Sequence, residues 1–302
     1  MTDLIRVEAL HKRFGRVRAL EEVSLGIPEG ATYFLLGPNG SGKTTLVRLL
    51  TGVLRPTEGT VTVLDVDPYR KPHRLVRRLG IAYEDHHLPP WATARDYLRF
   101  AARASALDDA TVGDVAEAFE LSEYWERQVG TYSAGMQKRV MLAQAWLGDP
   151  ELLLLDEPFS NLDPEGRRLL ADLLGSRRSD GRTTLVATHL AETVAPPTHL
   201  ACFLNGRVAA DARVEELADQ LGARTIAVKT PDPIEAARVL LKMGIGAVTA
   251  REDTVVVQGD SATVEAAVEA LRDAGLEGEV LEESYDIWSL YRSILSSQKA
   301  AG

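Results

Sequence analysis

Gly37-Pro38-Asn39-Gly40-Ser41-Gly42-Lys43-Thr44 has the spacing G-x-x-x-x-G-K-S/T of a phosphate-binding loop. It stands between an apolar run, Tyr33-Phe34-Leu35-Leu36, and a helical run that begins at Thr45 and continues to residue 50. The glycines let consecutive backbone N–H groups turn inward around a phosphate, and the helix that follows presents its positive end to the same anion. Lys43 adds a point charge, and the Thr44 hydroxyl is placed to ligate Mg²⁺. A second apolar run, residues 152–155, ends in Asp156-Glu157. A strand there delivers both carboxylates to the C-terminal edge of an open α/β sheet, where ligands bind. Asp156 then ligates Mg²⁺, directly or through water, and Glu157 is the general base that polarises water attacking a γ-phosphate. Alone, an acidic pair closing a strand is an ordinary solvated turn; beside a phosphate loop it becomes chemistry.

These groups need a sheet to hold them. Apolar runs at 33–36, 61–64, 81–83, 152–155, 184–187 and 200–204 alternate with helix-period segments, the rhythm of an α/β domain on a largely parallel sheet. Residues 94–106 read as a helix with Thr93 as N-cap and Asp96 at its third position, and 136–147 as another, closed by Gly148-Asp149-Pro150. A helix-rich insert therefore spans about 94–148. Beyond Glu215 the texture changes: strand at 225–229, helix at 233–243, strands at 247–251 and 254–258 around an Arg251-Glu252-Asp253 turn, helix at 262–274. Completed by a last strand, that order is the split βαβ of a ferredoxin-like module. The expected division is an α/β domain over 1–220, a small α+β domain over 221–295, and a flexible polar tail over 296–302.

Composition narrows the functions. A chain of 302 residues, 45% hydrophobic and 26% charged, suits about two globular domains and needs no disulfide or structural metal to hold a core. The single cysteine, Cys202, fits a reducing compartment and leaves no Cys-rich zinc site. A net charge of −10 argues against nucleic acid as a partner, and residues 221–302, with 8 Lys/Arg against 13 Asp/Glu, are the more acidic part per residue. No apolar run approaches the roughly 20 residues of a membrane helix, and the start carries no signal-peptide pattern.

Further motifs make a resemblance specific. Tyr132-Ser133-Ala134-Gly135-Met136-Gln137 resembles the signature LSGGQ of ABC (ATP-binding cassette) ATPases, and Ser160-Asn161-Leu162-Asp163 resembles the D-loop that follows the catalytic glutamate. His189 occupies the switch-histidine position after the 184–187 strand, and Phe14 the A-loop position, where an aromatic ring stacks on adenine. With the phosphate loop and the acidic pair, these occur in the family's order over residues 1–220, so the chain resembles the ATP-binding subunit of an ABC transporter. Each also has a physical reading: Ser133 through Met136 opens a helix with small residues that can meet an anion, and a neutral imidazole at His189 can donate to a phosphate oxygen.

The resemblance implies ATP and Mg²⁺ as cofactors and a P-loop NTPase fold. It further implies a nucleotide-sandwich dimer, of two copies or of this chain and a paralogue, in which Lys43, Thr44, Asp156 and Glu157 of one subunit face Ser133 and Gly135 of the other. A separate membrane-spanning subunit and a place on the cytoplasmic face of the membrane go with it. The small C-terminal module, ending in Tyr285-Asp286-Ile287-Trp288-Ser289-Leu290-Tyr291, looks like that of ABC-2-type exporters. Two departures stand out. Glu84 falls at the Q-loop position, where the family has Gln and where a carboxylate can still ligate Mg²⁺; Ala134 and Met136 replace Gly and Gln of the signature. The alternative is a soluble or regulatory ABC ATPase not coupled to transport. One P-loop, the absence of a heptad tract, and the intact Lys43, Asp156, Glu157 and His189 weigh against it. His11, His73 and His199 read as surface residues, whereas His86-His87 beside Leu88-Pro89-Pro90-Trp91 forms a loop suited to contact with the membrane subunit.

Overall fold

The computed structural model describes residues 3–85, 87–189, 197–221, 224–245, 247–250, 253–276, 278–285, 287, 290–292 and 294–295. His86, the 251–252 part of the expected turn, Asp286, Trp288 and Ser289 of the terminal motif, and the tail 296–302 lie outside the described residues. The chain divides into two compact units, residues 1–211 and 212–302.

The first unit opens with two long strands, β1 (Asp3–Phe14) and β2 (Val17–Pro28), then β3 (Thr32–Leu36), α1 (Lys43–Leu50), β4 (Glu58–Val63) and β5 (Leu79–Ala82). Three helices follow, α2 (Ala94–Ala104), α3 (Ala110–Ala118) and α4 (Ala134–Trp146), and then β6 (Leu152–Asp156), α5 (Pro164–Ser179), β7 (Thr183–Thr188), β8 (His199–Leu204) and β9 (Arg207–Arg213). A six-stranded sheet runs in the order β5-β6-β7-β3-β8-β9, and β5–β6, β6–β7, β7–β3 and β3–β8 are parallel. Every residue of β3, β6 and β7 is buried, as strands covered on both faces must be, which is why they read as unbroken apolar runs. Leu46 and Leu50 of α1 pack with Leu35, Leu152, Leu154 and Leu185, each worth about 1.5–3 kcal/mol on burial.

The 61–64 run does not belong to this sheet. β4 pairs antiparallel with β1, and β1 with β2, in a separate three-stranded sheet. The helical insert forms as expected: Thr93 Oγ1 accepts from Asp96 N at 3.0 Å, and α2, α3 and α4 pack on one another.

The second unit contains α6 (Val214–Leu221), β10 (Arg224–Lys229), α7 (Pro233–Lys242), β11 (Ala247–Ala250), β12 (Thr254–Gly259), α8 (Ser261–Asp273) and β13 (Glu279–Tyr285). Its strands pair antiparallel in the order β11-β12-β10-β13 around a core of Ile226, Val228, Leu240, Val255, Val257 and Leu271. The boundary falls after Asp211 rather than at 220, because α6 buries Leu217 and Ala218 and packs against β10 and β13.

Candidate active site

The parallel register decides what meets at the sheet's C-terminal edge. Leu36 of β3 pairs with Thr188 of β7, Ala187 of β7 with Asp156 of β6, and Leu155 of β6 with Ala82 of β5. The loop after β3, the ends of β6 and β7, and the segment after β5 that carries Glu84 therefore open onto one line.

Residues 37–42 turn from β3 into α1, and Lys43 is the helix's first residue. Gly42 has φ 109°, and a side chain there would meet the Ala19 carbonyl oxygen and Leu20 Cδ2 at 2.7 Å. A side chain at Gly37 would lie 2.5 Å from the Phe203 carbonyl oxygen, so β8 and β2 hold the loop tightly from both sides. Lys43 Nζ donates to the Gly37 carbonyl at 2.7 Å and stands 3.9 Å from Glu157 Oε1. Burial pulls its ammonium below the usual value, and Glu157, Asp156 and Glu84 pull it back in part.

Asp156 is wholly buried, and neither carboxylate oxygen makes a hydrogen bond of good geometry; the same holds for the buried Ser41 Oγ in the loop. Burial pushes the Asp156 carboxyl up to about 6; Thr44 beside it opposes the rise, Glu157 and Glu84 add to it, and Lys43 opposes it. Buried oxygens without partners are costly unless something binds them. A carboxylate and a threonine hydroxyl are hard oxygen donors of the kind Mg²⁺ takes, so the residues fit that ion.

Glu157 is bound on all sides. Its Oε2 accepts from Thr188 Oγ1 at 2.9 Å, its Oε1 from the His189 backbone N–H at 2.9 Å, and its own N–H donates to the Ala187 carbonyl at 2.8 Å. His189 Nδ1 lies 2.9 Å from Oε1, so the imidazole engages the carboxylate. Glu157 takes φ 47°, a left-handed conformation rare outside glycine. In a continued strand, Asp156 and Glu157 would point to opposite faces; the left-handed turn brings both to the same site.

The structure thus brings together the loop 37–45, Asp156, Glu157 and His189, with Glu84 exposed nearby. It does not bring the signature to them. Ser133 caps α4 by accepting from Met136 N at 3.2 Å, and Asp163 caps α5 by accepting from Gly166 N at 2.7 Å. Ser133, Gly135, Met136 and Asp163 share a separate cleft of about 580 Å³ with Arg127 and Arg139. Ala134 begins α4 behind its cap. Among the described residues, no hydrogen bond or ion pair joins the cleft to the phosphate loop. Phe14, at the end of β1, is 47% exposed with Lys12 Nζ 4.9 Å from its ring centroid, so it is not a core residue. Trp91 is 76% exposed, although its loop is held to its own domain by the buried Leu88 and by the Gly130 N–H, which donates to the Pro90 carbonyl at 2.9 Å. His199 is a correction: it is partly buried and stacked on Tyr33 at 5.9 Å, with Thr198 Oγ1 3.0 Å from its Nδ1, rather than lying at the surface.

Two residues escaped the sequence reading. Thr188 supplies a buried hydroxyl to Glu157, and its only signal is its place between the strand and His189. Lys138 lies 4% exposed on α4, where burial pulls its ammonium down against the attraction of Glu84, Asp156 and Glu157. Its signal is a charge on the helix's apolar stripe.

The ABC transporter family profile matches residues 20–160. The daunorubicin resistance ATP-binding protein DrrA3 of Streptomyces coeruleorubidus is 31% identical over 284 residues, covering 91% of this chain and 90% of that one. The Nod factor export ATP-binding protein I of Ralstonia nicotianae is 32% identical over 246 residues, covering 80% and 76%. In fold, the chain is similar to a dimeric ATP-binding cassette in a post-hydrolysis state bound to ADP and Pi, with TM-score 0.61, 24% identity and coverage of 69% of this chain and 98% of that one.

Proposed function

Because the chain belongs to the ABC transporter family as an ATP-binding, ATP-hydrolysing subunit, we propose that it is the motor of an ABC-2-type exporter and drives a separate membrane-spanning subunit. The observation that carries the reading is the separation of the two half-sites. Lys43, Thr44, Asp156, Glu157 and His189 meet at one sheet edge, while Ser133, Gly135 and Met136 line a different cleft. A nucleotide held by one half is completed only by the other half of a second subunit, a copy or a paralogue, and two-fold pairing makes two such sites.

In this reading the loop 37–45 cradles the phosphates, Lys43 turns from the Gly37 carbonyl to the β- and γ-phosphates, and the half-exposed Phe14 ring stacks on adenine. Thr44 and Asp156 would hold Mg²⁺, which would supply positive charge against the phosphates. Glu157 accepts the proton of the water that attacks the γ-phosphorus while the bond to the leaving oxygen of ADP breaks. Thr188, the His189 backbone and the imidazole hold its carboxylate in line. Closure of the dimer around the triphosphate and its reopening after hydrolysis transmit the cycle to the membrane subunit. Trp91, exposed just after the Glu84 segment, is the contact for that subunit at the cytoplasmic face of the membrane. Among the described residues, no helix is long and apolar enough to cross a membrane. The relatives named for daunorubicin resistance and Nod factor export support export as the direction.

The test is ATP turnover with and without Mg²⁺, beside Glu157→Gln, with size exclusion chromatography. The expected result is Mg²⁺-dependent turnover in the parent chain and, in the variant, turnover reduced by roughly 10²–10⁴ with an ATP-bound dimer. Unchanged turnover in Glu157→Gln would remove the general base from the reading.

A further inference from the structure

The hairpin that carries Phe14 breaks its register in the stretch just before its tip. Leu10 pairs with Val23 and Lys12 with Leu20, so Glu21 and Glu22 of β2 stand opposite the single residue His11. Such a β-bulge bends a strand and re-aims whatever lies beyond it. Glu22 takes φ 55°, and its N–H donates to His11 Nδ1 at 3.4 Å. Beyond the bulge, Arg13 pairs with Arg18 and Phe14 with Val17, which brings the strands to the tip. On the other side the bulge is fastened to the phosphate loop. The Glu21 N–H donates to the Gly206 carbonyl at 2.8 Å, and the Gly206 N–H donates to the Ser41 carbonyl at 3.0 Å. Gly206 has φ 77°, and a side chain there would lie 2.8 Å from the Ala19 carbonyl oxygen, the same atom that closes off Gly42. The loop, the turn before β9 and the hairpin thus meet backbone to backbone.

The Glu21 side chain spans the same junction. Its Oε1 accepts from Arg18 Nη1 at 2.8 Å, on the tip side of the bulge, and lies 3.3 Å from Nη2 of Arg207, the first residue of β9. A lone exposed ion pair adds little, whereas this carboxylate joins two guanidiniums across a junction that backbone hydrogen bonds already hold close, so less ordering is needed to make the contacts. We propose, on the reading of this edge as a nucleotide site with Phe14 against adenine, that Glu21 is a positioning residue: its carboxylate clamps the hairpin tip, through Arg18, to the turn beside the phosphate loop, through Arg207, and so fixes where the Phe14 ring meets the base. The clamp acts at the adenine end of the site, so a ligand that has phosphates and no base does not sense it.

The experiment compares Mg-ATP with inorganic triphosphate and Mg²⁺, on the full chain carrying Glu21→Gln, Arg18→Gln, Phe14→Ala, or Glu21→Gln together with Phe14→Ala. Calorimetry gives the dissociation constant of each ligand, and turnover gives kcat and KM for ATP. Phe14→Ala is expected to weaken Mg-ATP about tenfold, the worth of one base stacked on an aromatic ring, and to leave triphosphate within about twofold. Glu21→Gln is expected to weaken Mg-ATP about fivefold, in KM more than in kcat, with triphosphate again within about twofold. The double variant is expected to bind no more weakly than Phe14→Ala, because Glu21 acts through that ring. Equal loss of both ligands in Glu21→Gln would make it a support of the phosphate loop and overturns the proposal. So does a double variant in which the two losses multiply, or a Glu21→Gln chain that binds Mg-ATP as the parent does. Should Glu21→Gln not fold, Arg18→Gln carries the test: it releases only the tip side of the clamp and is expected to show the same selective loss. Failure of the underlying reading looks different. A parent chain that binds neither ligand overturns the nucleotide site, and a Phe14→Ala chain that binds Mg-ATP as the parent does overturns the adenine stack; either takes the clamp's role with it.

Discussion

Asp156→Asn is expected to stabilise the nucleotide-free protein, and by an amount that depends on pH. The Asp156 carboxyl is pushed from 3.8 up to about 6, chiefly by burial, so its charged form is disfavoured in the folded state. A raised folded-state pKa means that the folded chain binds more protons than the unfolded one between those two values. Its contribution is fully present below about 4 and lost as pH rises through about 6. That displacement corresponds to about 3 kcal/mol, or roughly 6–12 °C in melting temperature for a unit of about 200 residues. Asparagine cannot ionise, so the variant escapes the loss. Urea denaturation of both proteins at pH 5, 6 and 7.5 checks this. The stability gap in favour of Asp156→Asn should widen by about 1 kcal/mol from pH 5 to 6 and level off above about pH 6.5. A gap that is the same at all three pH values, or that favours the parent at pH 7.5, refutes the argument that burial strains this carboxylate. Millimolar Mg-ATP should reverse the order, since the ligand-holding parent alone gains from mass action.

Lys43→Ala should abolish tight triphosphate binding; retained micromolar affinity in a fluorescent-nucleotide titration contradicts the assignment of the loop. Gly42→Val should lose binding as fully, since φ 109° is closed to a branched residue and Ala19 and Leu20 leave no room for its Cβ; crystallographic or calorimetric demonstration of bound ATP in that variant sinks the steric account. Trp91→Ala should leave basal hydrolysis of the isolated chain within about twofold, as befits a surface substitution, while co-purification with a co-expressed membrane subunit falls. Undiminished co-purification would move the contact elsewhere.

How legible the fold was depends on whether a signal is local. The fully buried strands β3, β6 and β7 announce themselves as apolar runs, and the caps at Thr93 and Ser133 as hydroxyls before helical periods. The sheet β2-β1-β4 did not show itself, for a physical reason. Ala9 and Glu22 take φ of 43° and 55°, and the β1–β2 register shifts between Val7 and Leu10, so the period-2 alternation slips by a residue mid-strand. What remains legible of β4, Val61 and Val63 buried in alternation, fits either sheet equally well. The end of the α/β unit was displaced in the reading because α6 is an ordinary amphipathic helix, and which core it covers is settled only by β10 and β13.

The active-site edge divides along the same line. The phosphate loop is contiguous, so its spacing alone carries its chemistry. Glu157 is different: next to Asp156 in sequence, it reaches the same site only because its backbone adopts a left-handed turn that costs a non-glycine residue about 1–3 kcal/mol. No preference of glutamate for that conformation exists to be read. The compensation comes from β7, through the Ala187 carbonyl, the Thr188 hydroxyl and the His189 N–H, all placed by the pairing of Asp156 with Ala187. The position of the general base is therefore a property of the β6–β7 register. A substitution that shifts that register by one residue would leave every motif intact in the sequence and the carboxylate on the wrong face of the sheet.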